Sequence, residues 1–221
     1  MRVGEHRAFR WGAWGVGAAL LAAGCAAPEP RIERYRPVLP GSTTTMSVTS
    51  TGSYGSGTTQ VTTTIDQRNW EGRTVISQES AAGAMLLDPA DGSRLGFVGP
   101  NGETQWTLKP PVGFRYPMEV GKRWVAESTL TLTGPQGTRA WPVRSEWSVE
   151  ALEEVTVPAG RFKALRVTVN DTMGGQPWNA DTYWVEPVQE FTVKVLLNRL
   201  PTHPAGAGSR ESLLVSKSIR R

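Results

Sequence analysis

From Thr43 to Ile219 the chain repeats one pattern, in which β-branched or aromatic residues alternate with polar ones in short runs. A period of two sends successive side chains to opposite faces, so each run reads as a strand with one buried face. The runs are TTTMSVTS, TTQVTTTI, RTVISQES, AMLLD, SRLGFVG and ETQWTLK. They continue as RWVAESTLTLT, TRAWPVRSEWSVEALEEVTV, RFKALRVTVN, DTYWVEP, EFTVKVLLN and SLLVSKSI. TGSYGSG separates the first two as a hairpin loop, and Asp91-Gly92 and Asn101-Gly102 are strong hairpin dipeptides. No run carries helical periodicity with caps. The 24 glycines and 16 prolines agree with many turns. The fold class expected is therefore all-β, an antiparallel meander forming a closed or half-open barrel-like sheet.

Parity within two runs adds detail. Trp147, Val149, Ala151, Val155 and Val157 share one face, and Ser148, Glu150, Glu154 and Thr156 share the other. Glu153 falls on the apolar face and Leu152 on the polar one. Either the strand bends there or a carboxylate points inward. The next run slips as well, since Phe162 and Ala164 have one parity and Leu165, Val167 and Val169 the other. A one-residue slip flips the faces, which predicts a β-bulge near Ala164–Leu165. Between the runs, VPAG reads as a type I turn with Pro158 at its second position.

The first 42 residues obey other rules. MRVGEHRAFR is positively charged, and WGAWGVGAALLAAG carries no charge at all. As a helix this second stretch would span about 21 Å, short of a hydrocarbon core of roughly 30 Å. The order of charge, apolar stretch and small residues is that of a signal peptide, assigned to residues 1–24. LLAAGC then reaches Cys25, the single cysteine, and resembles the bacterial lipobox. Gly24 and Ala23 fit that pattern, whereas Ala22 stands where leucine is usual. The resemblance implies lipid attachment at Cys25, with acyl chains such as palmitate, as the mature N-terminus. More than one acyl chain, at about 0.8 kcal/mol per buried methylene, makes a stable anchor. Ala26, where aspartate would favour retention at the inner membrane, points to the periplasmic face of the outer membrane. A conventional cut near Ala26 or Ala27, giving a soluble periplasmic protein, and an inner-membrane anchor are the alternatives. With one cysteine there is no internal disulfide, so packing must stabilise the domain. Residues 25–42, rich in proline and arginine, read as a flexible tether, and 43–221 as a single β-rich domain.

Several chemistries are poorly supported. The net charge of +4 is scattered, with no cluster to displace phosphate counterions, so nucleic acid is not an expected partner. Past Cys25 the sole histidine is His203, read as an exposed loop residue in LPTHPAGAGS, and no serine sits in a GxSxG elbow. One histidine and no free cysteine leave little for a metal, and no phosphate-loop signature occurs. No cofactor is expected. Glu153 is the one carboxylate whose parity suits acid–base work. Seven tryptophans from Trp70 to Trp184 supply core area in a chain without disulfides, or line a cavity for an acyl chain, a peptide or a sugar face.

Three stretches carry a family resemblance: LKPPVGFRYPMEVGKRW (108–124), EEVTVPAGRFKALRVTV (153–169) and YWVEPVQEFTVKV (183–195). In order and spacing they resemble the TapB-like proteins and related bacterial envelope domains of unknown function. The resemblance implies a β-rich, often lipid-anchored exported domain, and marks Trp124, Glu153, Tyr183, Trp184 and Lys194 as shared positions. It implies no catalytic residues. The chain departs where the family usually has a glycine, near Gln189–Glu190. The function expected is a non-enzymatic module of the cell envelope, held to a membrane by its lipid. It would bind an amphiphile, a peptide or an envelope partner, or scaffold an assembly. A carboxylate-based envelope hydrolase and a purely structural β module are the alternatives.

Overall fold

The computed structural model describes residues 30–135 and 137–220. The signal-peptide and Cys25 readings lie outside the described residues. Twelve strands follow in chain order, beginning with β1 (Thr43–Gly52), β2 (Gly57–Trp70), β3 (Arg73–Ser80) and β4 (Gly83–Leu87). Next come β5 (Arg94–Val98), β6 (Thr104–Val112), β7 (Arg123–Gly134) and β8 (Gly137–Val157). The last four are β9 (Gly160–Met173), β10 (Gln176–Glu186), β11 (Phe191–Arg199) and β12 (Gly208–Ser218). Each pairs antiparallel with its sequence neighbour, and β12 returns to β1, so the meander closes into a barrel.

The alternation runs apolar-in and polar-out. On β7, Trp124, Ala126, Ser128 and Leu130 are buried while Arg123 and Glu127 are exposed. A lipid-facing barrel has the reverse polarity, with its apolar band outside. Eight strands enclose an interior just wide enough for side chains or one small ligand, and twelve enclose more.

The slip in parity between β8 and β9 has a different origin from the one expected. The register shifts on β8 between Val149 and Ala151, where Glu150 is the extra residue, and not at Ala164–Leu165. The insertion keeps Val149–Val167 and Leu152–Leu165 in step and turns Glu153–Ala164 to the other side. Glu153 is therefore not an inward carboxylate. Beyond the bulge, the β8–β9 hairpin end leans on β10–β12. There Val155, Val157 and Ala164 pack with Phe191, Val193 and Leu214, and the Ala159 N–H donates to the Leu214 carbonyl at 3.0 Å. The connecting turn ends on Gly160 at φ +126°, a conformation that penalises any side chain. At the β10–β11 turn, where the resemblance would place a glycine, Glu190 itself takes the left-handed conformation, at φ +51°.

The described part of the expected tether, from Arg31 to Ser42, is folded onto the barrel. Ile32 is 1% exposed and exchanges two backbone hydrogen bonds with Met118, at 3.0 and 2.8 Å. Tyr35 lies over Gly92, where even a Cβ would come within 2.5 Å of its ring. Val38 and Tyr35 pack on Ile65, Ile76 and Leu87, and Leu39 and Gly41 donate to the carbonyls of Arg220 and Ile65. Proline and arginine content suggested a linker, but three apolar side chains spaced along it find an open barrel end to cover. Ile32→Ala should cost about 2–4 kcal/mol, the usual range for emptying a buried site. A urea midpoint that falls with an unchanged m-value would show it; an unchanged midpoint would mean the strap is dispensable.

Candidate binding cavity

The barrel encloses a cavity of about 970 Å³. Ligand pockets of roughly 300–1,000 Å³ are typical, so this one stands at the roomy end. Its lining changes character along the axis. At the strap end it combines the aliphatic Ile65, Ile76 and Leu87 with an Arg36–Glu190 ion pair at 3.2 Å. At the opposite rim, built from the β1–β2 turn and the β11–β12 loop, it presents Tyr54, Arg199, His203 and Arg210.

An aromatic stack forms one wall. Trp147 lies parallel to Trp124 at 5.4 Å and 10°, and nearly parallel to Tyr183 at 6.2 Å and 19°. Phe114 meets Trp147 and Tyr183 edge-on, at 5.6 and 5.8 Å. Both arrangements suit the ring quadrupoles. The register explains the grouping, since Trp124 pairs with Trp147, and Trp147 with Val169, whose β10 partner Asp181 lies two residues before Tyr183 on the same face.

Charged groups stand beside this wall. Asp181 is 7% exposed and accepts the Asn198 N–H at 3.0 Å. Burial pushes its carboxyl up to about 7, with the Asp171 charge adding to the effect. Asp171 accepts the Ser145 hydroxyl at 2.6 Å. Arg94 enters from the facing wall and holds its guanidinium 5.7 Å from the centre of the Trp147 ring. Burial opposes the Arg94 charge, but Tyr183, Asp171 and Asp181 outweigh it and raise the pKa. Burial likewise pushes the Tyr183 phenol up to about 12, against the pull of Arg94. The Arg199 and Arg210 guanidiniums both lie over the Tyr54 ring, at 3.9 and 4.6 Å from its centre. His203 is half-buried and not an exposed loop residue, because it stacks on Trp178 at 4.9 Å. Burial and then Arg199 push its pKa down to about 4, so it is neutral at pH 7.

The five shared positions divide into two groups. Tyr183 lines the cavity, and Trp124 stacks on Trp147 beside it. Glu153, Trp184 and Lys194 meet on the outer side of the sheet, one residue out of phase with the cavity-lining Tyr183 and Val195. Trp184 donates its indole N–H to Glu153 at 2.6 Å, and Lys194 lies 4.9 Å from the Trp184 ring centre. Arg166 approaches Glu153 at 3.5 Å, and Lys194 pairs with Glu211 at 2.7 Å. This cluster ties the β8–β9 hairpin to β10 and β11. Glu153 lies on the outer side of the sheet and does not join Asp171 and Asp181, which line the cavity. Glu153→Ala should cost about 1–2 kcal/mol by orphaning the half-buried Trp184 N–H, whereas Glu153→Gln, which keeps an acceptor, should stay within about 0.5 kcal/mol. Equal losses in urea unfolding would contradict the latch.

Sequence reasoning missed Arg94, Arg199, Arg210 and Tyr54. The parity argument applied to Glu153 finds two of them, because Arg199 continues the Val195–Leu197 face and Arg210 the Ser212–Leu214 face. Among the described residues no group of three or more histidine, cysteine or carboxylate side chains is placed to hold a metal.

No family model matches the chain, and neither does any curated protein. Among solved structures it is similar to the hypothetical lipoprotein YmcC from Escherichia coli (K12), at 12% identity and a TM-score of 0.46. That match covers 81% of this chain and 86% of the other. It is also similar to a Bacteroides fragilis protein described as exported and YmcC-like in fold, at 13% identity and a TM-score of 0.43. Here 86% of this chain and 99% of the other are covered.

Proposed function

We propose that this chain is a non-enzymatic bacterial envelope lipoprotein, anchored through Cys25, whose barrel shelters a small amphiphile from water. The observation that carries the binding role is the cavity of about 970 Å³ with aromatic and aliphatic walls and a charged rim. A purely structural barrel would fill that space with side chains. The envelope address rests on LLAAGC and the charged and apolar stretches before it. Mass spectrometry of the full chain from native membranes tests both parts. A diacylated Cys25 terminus and a co-purifying hydrophobic molecule are the expected results. An unmodified alanine at the mature N-terminus would overturn the anchor. Failure of the protein to take up any long-chain probe would overturn the cavity's role.

A further inference from the structure

Three arginines, Arg94, Arg199 and Arg210, line the cavity, and they are not equally provided for. Arg94 faces the Tyr183 hydroxyl and the carboxyl groups of Asp171 and Asp181, which favour its charged form. Arg199 donates to the Ser53 carbonyl at 3.1 Å and to the Ser53 hydroxyl at 3.4 Å. Arg210 donates to the Ser50 hydroxyl at 3.4 Å. Arg199 also feels the Asp181 carboxyl, but neither arginine forms an ion pair within 4.0 Å among the described residues, where the pairs engage other cations. Both nevertheless press on the single ring of Tyr54.

Two like charges gathered on one ring repel each other, and the ring quadrupole offsets only part of that cost. Surface arginines escape by spreading into water. These two are half-buried and held by main-chain and hydroxyl acceptors at a cavity rim. An anion placed between them would receive charge-assisted hydrogen bonds from two planar donors, the geometry that suits carboxylate and phosphate. The opposite end of the cavity, under the strap, carries an aliphatic patch, and Arg36 there is already paired with Glu190, so a molecule entering head-up would leave its tail among Ile65, Ile76 and Leu87.

Resting on the amphiphile reading above, we infer that the ligand carries an anionic head, held by Arg199 and Arg210 beside Tyr54, and an apolar tail along the aliphatic end of the barrel. The polarity of the cavity gives the ligand an orientation as well as a class. Carboxylate and phosphate heads share this chemistry, and the assay separates them.

The test displaces radiolabelled hexadecanoate from the full chain, with unbound ligand removed on a lipophilic resin. The competitors are hexadecyl phosphate, hexadecanol and hexadecyltrimethylammonium, which share one tail. At least one anionic amphiphile should bind ten-fold or more tighter than hexadecanol, and the cation weakest. Arg199→Gln with Arg210→Gln should lower the anion's affinity at least ten-fold and leave hexadecanol, measured directly, unchanged. Retained hexadecanol binding then reports an intact barrel. The milder Arg199→Lys with Arg210→Lys should give an intermediate loss. Equal affinity for anion and alcohol, or an unchanged affinity in the double variant, would overturn the head-group assignment and leave the cavity reading standing. No binding of any of the four compounds would overturn both.

Discussion

Trp147→Ala is expected to lower stability by about 3–5 kcal/mol, the range for emptying a buried large aromatic. Trp147 is 3% exposed and is in contact with three other rings. It stacks between Trp124 and Tyr183, meets Phe114 edge-on and carries the Arg94 guanidinium over its face. Its removal takes away area, two stacked contacts and the platform that steadies Arg94. The wall beside it already borders a cavity, so collapse into the hole would require strands to move. For a chain of this size each kcal/mol corresponds to roughly 2–4 °C, so the melting temperature should fall by on the order of 10 °C. Trp147→Phe should lose less than half as much. Urea unfolding followed by far-UV circular dichroism measures both, and a loss below about 1 kcal/mol for the alanine would show that the stack is incidental.

The second large effect depends on pH. Asp181 has a folded-state pKa of about 7, raised first by burial, against an ordinary carboxylate value near 3.8. Between these values the folded protein holds a proton that the unfolded chain has released, so stability falls as pH rises. The contribution is fully present below about pH 4 and is lost as pH passes 7, at up to about 1.4 kcal/mol per unit. Asp181→Asn keeps an oxygen for the Asn198 N–H and removes the titration. The variant should therefore exceed the parent at pH 8 by roughly 2–4 kcal/mol, the advantage shrinking toward pH 4. His203, with its pKa lowered to about 4, slopes the opposite way between that value and its ordinary 6.5, and cancels in the difference. The informative quantity is thus the variant-minus-parent stability across pH. A flat difference would mean that Asp181 is ionised without penalty and that water reaches it freely.

Each of the twelve alternating runs became one strand, several within a residue of their expected ends; RTVISQES is β3 to the residue. Hairpin signals were equally plain, because Asp-Gly, Asn-Gly and VPAG act through φ preferences that belong to a few adjacent residues. The cavity residues were far less legible. Trp124 and Tyr183 emerged from a motif without any sign that Trp147 joins them. Glu153, Trp184 and Lys194 emerged together and do meet, but on the outer side, as a brace. Arg199 and Arg210 lie just outside the expected runs, and only the fold brings both to the ring of Tyr54.

Local chemistry determined that this chain forms a barrel-prone antiparallel meander, because period-two patterning and turn residues act over two to eight positions. Tertiary structure decided what the barrel contains. Which residue faces inward on β8 hangs on a single inserted residue, Glu150, and one unit of register reverses every side chain beyond it. Whether the strap from Arg31 to Ser42 dangles or seals the end depends on an apolar opening that exists only once β12 has met β1. Charges from Arg94, Asp171, Asp181, Arg199 and Arg210 come from five different strands, and closure alone sets them around one space. Closure is a property of the whole circuit of hydrogen bonds, and no stretch of sequence short enough to read by itself contains it.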